Sequence, residues 1–387
     1  MSPKHRLILP SVIIFMLLHH LVFPAALTHA NSSAVHASED EFVFDPWIKE
    51  RVKARGIYVS SWMAASDQFD QLVELVEKTE LNAMVIDVKD DNGLLTYRSE
   101  FDEIKRWNQH YKPLIPDMAK WLSKLKEKNI YVIARIVTFK DSNLARQQPE
   151  WALQKANGEL WHDRQNNYWL DPYHEKAWEY NLNIAKEAAK LGFDEIQFDY
   201  VRFPENEAKV DQEVVYKNSK QWSKPDNIMQ FLKQARKELH GYPVFISADV
   251  FGLTTSSADD MGIGQDWKQI SETVDYICPM VYPSHYSEGS YGIHHPDLHP
   301  YRVVRKAMLD ALNKNSELMK KGANAAIIRP WFQSFSATWM DAHQIYHLKQ
   351  IEEQIKAASE LGIDEYLLWN ARSNYDVLQH ESIETKK

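Results

Sequence analysis

Asp199 and Asp249 are the two carboxylates best placed for acid–base chemistry. Each comes near the end of a short β-rich run, Phe193 to Tyr200 in one case and Val244 to Val250 in the other. Successive strand side chains point to opposite faces. Ile196 and Phe198 therefore share one face, and Gln197 and Asp199 the other. In the second run Val244, Ile246 and Ala248 form the apolar face, leaving Ser247 and Asp249 opposite. In a parallel barrel the polar faces turn inward, and both aspartates reach the mouth on strands ~4.8 Å apart. Two carboxyl groups so placed suit glycoside hydrolysis. One attacks or stabilises an oxocarbenium-like centre, or activates water, and the other, protonated, gives its proton to the leaving oxygen. An open, polar mouth also implies that Asp199→Asn leaves folding nearly unchanged. The competing reading is a strand-end ion pair, with Arg202 the nearest cation to Asp199 in sequence.

Further residues are expected to ring that mouth. Asp87 and Lys89 in I-D-V-K-D-D face inward by alternation, where they can hold sugar hydroxyls or set a neighbour's proton affinity. Arg135, Arg202, Tyr282, Arg329, Trp331, Gln333 and Asn370 complete a polar and aromatic rim of the kind that binds ligands. Trp151, Trp161 and Trp169 lie in an aromatic-rich loop; anchoring suits Trp151, while the other two can anchor or stack on sugar.

His285, His294, His295 and His299 with Asp297 raise a metal reading, but their spacing matches no zinc motif such as H-E-x-x-H. No phosphate-binding glycine loop, G-x-S-x-G elbow or nucleophilic cysteine motif is present. The expectation is an enzyme with no metal and no cofactor.

The elements that must position these residues alternate strand and helix from Gly56 onward. Strand-like runs are Gly56 to Trp62, Ala83 to Val88, Ile130 to Val137, Phe193 to Tyr200, Val244 to Val250, Val274 to Tyr282, Ala325 to Phe332 and Tyr366 to Asn370. Helical spacing separates them, as in Phe69, Leu72, Val73 and Val76 after a cap at Ser66 or Asp67. Parallel neighbours need crossovers of this length. Eight such units predict an α/β fold, a (β/α)₈ TIM barrel in a single domain with extended βα loops. An open doubly wound sheet lacks its usual G-x-G-x-x-G. Leu191-Gly192-Phe193-Asp194-Glu195 and Leu361-Gly362-Ile363-Asp364-Glu365 repeat one another four strands apart, each with a glycine suited to a left-handed helix end.

The motifs D-E-I-Q-F-D-Y-V-R-F-P (Asp194 to Pro204), S-A-D-V-F-G (Ser247 to Gly252) and P-M-V-Y-P-S-H-Y (Pro279 to Tyr286) carry a family likeness. With the early G-I-Y-V-S segment and I-D-V-K-D-D, the chain resembles a bacterial glycosyl hydrolase family with an α-amylase-like barrel, from about residue 55 onward. In that wider superfamily the nucleophile is a fourth-strand aspartate, which Asp199 matches. The fifth strand offers Asp249 where the resemblance implies a glutamate acid, and the seventh offers Gln333 where it implies a stabilising aspartate. Glu205 is a reserve acid.

Lys4 and Arg6 followed by apolar residues from Leu7 to Leu27 read as a signal peptide over 1–30, with Ala30 or Ala37 closing a cleavage site; an uncleaved anchor is the alternative. Residues 31–54 then form a linker and N-terminal extension, and 55–380 the barrel. A single cysteine, Cys278, cannot form an internal disulfide. The net charge of −9 argues against nucleic acid as a partner. The expected partner is a carbohydrate polymer or oligosaccharide, met as a secreted or cell-wall-associated protein without stable membrane insertion once the signal is removed. The competing functions are a non-catalytic carbohydrate-binding barrel and a metal-dependent hydrolase using the histidine loop.

Overall fold

Eight parallel strands close on themselves: β1 (Arg55–Val59), β2 (Ala83–Lys89), β3 (Tyr131–Val137), β4 (Glu195–Asp199), β5 (Phe245–Phe251), β6 (Tyr276–Val281), β7 (Ile327–Ile328, then Trp331–Gln333) and β8 (Tyr366–Trp369). The computed structural model describes residues 51–380. The expected signal segment, and all of the linker before Arg51, fall outside the described residues. Closure runs through β8, which pairs with β1 at Gly56↔Leu367 and with β7 at Trp331↔Leu367. Each strand feeds a helix: α1 (Phe69–Lys78), α2 (Met118–Glu127), α3 (Glu175–Leu191), α4 (Lys224–Leu239), α5 (Trp267–Ser271), α6 (Pro300–Lys320), α7 (Leu348–Ser359) and α8 (Asp376–His380). Among the described residues no helix is long and apolar enough to cross a membrane.

Local chemistry explains the places where elements differ from expectation. The β7 run is split because Pro330 has no N–H to give a ladder. The strand keeps its path through Arg329, whose N–H donates to Ile277 O at 3.0 Å, and through Pro330 O, which accepts from Leu367 N at 2.9 Å. The first strand stops at Val59 rather than Trp62, because Ser60 caps a short helix, Ser61–Ala64, its hydroxyl accepting from Met63 N at 3.2 Å. Ser66 does not cap α1; it donates to Met63 O at 2.9 Å, and α1 starts after Gln68 with no side-chain cap. The predicted stripe Phe69, Leu72, Val73 and Val76 is buried.

Gly192 and Gly362 both adopt the left-handed conformation, with φ of 108° and 80°, at the C-terminal ends of α3 and α7. The acidic residues that follow have a shared task. Glu195 and Glu365, which fall at the same position of the five-residue repeat, both bond Arg329 at the N-terminal end of the barrel interior. Arg329 is fully buried, with its guanidinium 3.5 Å from the Tyr276 ring centre. It is therefore an ion-paired plug at the base and not part of the mouth. Alternation gave its face correctly, but its height along the strand puts it at the opposite end from Gln333.

Two long loops on the C-terminal side are tied together. Gln154–Lys155 in the β3 loop pairs antiparallel with Val214–Val215 in the β4 loop. Trp161 and Trp169 are buried there, donating to Glu213 and Asp163, so both anchor the loop, while Trp151 packs edge-on against Trp107.

Candidate active site

The mouth is organised around Arg135, which β3 turns inward and buries. Its Nε and Nη2 reach Asp199 Oδ2 at 2.8 and 2.6 Å, and its Nη1 reaches Asp87 Oδ1 at 2.7 Å. Asp91 is a longer partner at 3.3 Å and is shared with Lys140. Tyr58 donates to the other Asp87 oxygen at 2.6 Å and stacks on Trp369, with ring centres 4.2 Å apart. One guanidinium thus faces three carboxylates, which offsets the cost of removing their charges from water.

Asp199 ends β4 as alternation predicted, but the mouth does not leave it open: its side chain is 7% exposed. Its Oδ1 accepts from the N–H of Tyr200 at 2.6 Å. Tyr200 has φ of 48°, a left-handed conformation that is unusual for a tyrosine. Such strain costs of order 1–3 kcal/mol and collects at functional positions. Here it fixes the turn that holds the Asp199 carboxylate.

Asp249 sits on the adjacent strand. The β4–β5 register pairs Phe198 with Ala248, so the two aspartates are side by side one position further on. Asp249 accepts from the Trp331 indole Nε1 at 2.7 Å and is almost fully buried. Burial pushes its carboxyl well above the usual range, the charge of Asp199 adds to this, and the indole hydrogen bond opposes it. Burial also raises Asp87 to about 6, against the pull of Arg135. At Asp91 burial acts upward too, but Arg135 and Lys140 prevail and hold it low. Tyr282 lies buried close by, its hydroxyl pushed far up by burial and by Asp249 and Asp199. The buried Asp249 carboxyl, pushed toward its protonated form, thus lies beside Asp199, which is bonded to arginine.

Several expected rim residues are elsewhere. Lys89 does not face the mouth: a register irregularity between Asp87 and Lys89 breaks the alternation. Its ammonium is instead buried among Asp141 Oδ2 at 2.9 Å, Asn181 Oδ1 at 2.7 Å and Thr138 O at 3.2 Å. Arg202 does not pair with Asp199; it bonds Glu205 and Phe203 O and stacks over Phe251, Tyr200 and Trp169. Gln333 is consumed in holding the β6 loop, accepting from Ser284 and donating to Asp297 Oδ1. Asn370 donates to Ser334 O at 2.7 Å and accepts from Arg372 N, shaping the β8 loop. Glu205 is exposed and lines a different cleft, of about 960 Å³, between the β3 and β4 loops.

Sequence reasoning passed over Tyr58 and Trp369. Strand parity carries the signal, since Trp369 follows inward-facing Leu367 by two residues and Asn370 falls on the other parity.

His294 and His295 both contact Glu288 at the surface, His285 packs beside Tyr282 and Phe335, and Asp297 is spent on Gln333 and Gln344. Among the described residues no group of three or more histidine, cysteine, aspartate or glutamate side chains is arranged to hold a metal.

Among solved structures, a hypothetical protein from Ruminiclostridium thermocellum ATCC 27405 is 37% identical, covering 54% of this chain and 98% of its own, with a TM-score of 0.46. The glycoside hydrolase domain of PgaB (BpsB) from Bordetella bronchiseptica covers 84% of this chain and 97% of its own at 14% identity and a TM-score of 0.55, a likeness of fold. No curated protein matches the chain. Residues 56–375 match a family model that takes in Arg135, Asp199, Asp249 and their strands, and the chain belongs to that family, described as a putative glycosyl hydrolase domain.

Proposed function

We propose that this protein hydrolyses O-glycosidic bonds of a carbohydrate polymer outside the cytoplasm, with Asp249 as the acid and Asp199 as nucleophile or base. The observation that carries this reading is the Asp199–Asp249 pair on adjacent strands, one carboxyl bonded to Arg135 and the other buried against a neutral indole. In the first step Asp249 gives its proton to the leaving oxygen as the bond to the anomeric carbon breaks. Asp199 either forms the new bond to that carbon, to be released later by water, or takes a proton from the water that attacks it. Arg135 orients Asp199, and Asp87 with Tyr58 orients Arg135. Trp369, only partly buried beside them, supplies a flat surface for a sugar ring.

Family membership supports glycan hydrolysis. The basic and apolar pattern of residues 1–27 supports export, with the barrel over 55–380 as the exported unit after a signal at 1–30 and a linker at 31–54. One observation favours a second reading, a non-catalytic carbohydrate-binding barrel: both oxygens of Asp199 already have donors, Arg135 and Tyr200 N.

The test is release of reducing ends from a glycan panel by purified protein, with and without chelator and with Asp199→Asn alongside. Metal-independent hydrolysis lost in Asp199→Asn is the expected result. Binding without hydrolysis favours the second reading, and equal hydrolysis by Asp199→Asn refutes the assignment.

A further inference from the structure

The mouth continues outward as a strip of aromatic rings. Trp331 and Trp369 meet edge to face at 5.6 Å, and Tyr282 belongs to the same buried cluster. Phe335 contacts Tyr282 edge-on at 5.8 Å, and Trp339 lies nearly parallel to Phe335 at 6.0 Å. All five come from the C-terminal ends of β6, β7 and β8 or the loops that follow them. Trp331 and Tyr282 are buried close to Asp249, whereas Trp369 and Phe335 are partly exposed and Trp339, on the rim, is 68% exposed.

Single exposed apolar side chains are ordinary on protein surfaces and need no explanation. Trp62, 70% exposed after β1, is of that kind, with no ring contact among the described residues. Trp339 differs because Phe335 backs it in parallel and joins it to Tyr282, which lies buried close to Asp249 and Asp199. A flat indole held this way is pre-organised, so little rotamer freedom is lost when a ligand covers it. Its neighbours in the chain, Thr338 and Asp341, are exposed and polar, so the apolar surface at Trp339 is narrow. That matches a pyranose, which has a C–H face and a hydroxyl edge. A protein partner needs a broader buried patch, upward of roughly 1,000 Å² in total.

We propose that Phe335 and Trp339 form the outer track for an extended pyranoside chain, with Trp339 binding sugar units beyond the bond that is cleaved. The substrate class is then an oligosaccharide or polysaccharide of several units and not a free disaccharide. This rests on the reading of the mouth as a carbohydrate site.

The test measures affinity by calorimetry for disaccharides through hexasaccharides of the chito-, cello-, malto- and galacto- series, in an Asp199→Asn background that prevents turnover. Affinity should rise with chain length in at least one series. Adding Trp339→Ala should abolish the rise, costing roughly tenfold for the hexasaccharide, equivalent to about 1.4 kcal/mol, and leaving the disaccharide unchanged. Trp339→Phe should retain most of it, and Trp62→Ala should have no effect. A length dependence that survives Trp339→Ala, or falls equally in Trp62→Ala, overturns the track and leaves the hydrolase reading standing. Loss of the length dependence in Trp339→Ala, together with no hydrolysis by the native protein, supports the track and sinks the hydrolase reading. No binding of any series overturns both.

Discussion

Trp331 on β7 hands its indole N–H to Asp249 on β5 at 2.7 Å, reaching past the intervening β6 inside the barrel. The bond fixes one carboxyl oxygen and leaves the other to carry the proton. It also favours the charged form of Asp249, against burial and the nearby Asp199. Trp331→Phe should therefore raise the Asp249 pKa further. An acid must be protonated to act, so the alkaline limb of the kcat/KM profile should move to higher pH. An unmoved alkaline limb would separate Asp249 from the proton transfer.

Asp199→Asn should lower turnover by about 10³-fold or more if the carboxylate acts in the transition state. The structure adds a stability cost that an open mouth would not impose. Arg135 loses its closest partner but keeps Asp87 and Asp91, so the loss should fall below the 3–5 kcal/mol typical of an orphaned buried charge, at about 1–3 kcal/mol. Urea unfolding beside single-turnover kinetics separates the two effects. A folded variant with native turnover would move attention to Asp91.

Asp249→Asn should be less damaging with activated aryl glycosides, whose leaving group needs little protonation. Comparing kcat on natural and aryl substrates checks this, and an equal loss on both would argue against Asp249 as the acid.

Stability should also depend on pH through the raised carboxyls. A carboxyl raised in the folded state contributes stability that is complete below its unfolded value, near 4, and is lost as pH rises through its folded value. For Asp87, moved from 3.8 to about 6, the loss is at most about 3 kcal/mol, spread between about pH 4 and 7. Asp249 extends that loss to higher pH. Unfolding free energy at about pH 5 and pH 8 should fall less in Asp249→Asn than in the native protein. Parallel pH dependence in the two would contradict a protonated Asp249.

Lys89→Met should destabilise the fold by about 3–5 kcal/mol, because Asp141 would be left buried beneath the loops without its cation. Substrate KM should not change in the protein that remains folded. A raised KM with native stability would return Lys89 to the mouth.

Alternation along a strand is local, so the sequence alone could place Asp199 and Asp249 on inward faces and at strand ends, and the eight strand–helix units predicted closure. The glycine–acid repeat likewise marked two helix ends from composition alone. Local patterns do not report height, parity defects or partners. Arg329 has the right face but sits at the base, and one irregularity after Asp87 turns Lys89 out of the mouth. The cation near Asp199 in sequence, Arg202, follows the β4 loop outward, whereas Arg135 comes from 64 residues away because β3 and β4 are hydrogen-bonded neighbours in register. Which carboxyl is bonded to arginine and which is buried against an indole depends on strand adjacency and burial, and these exist only once the barrel has closed.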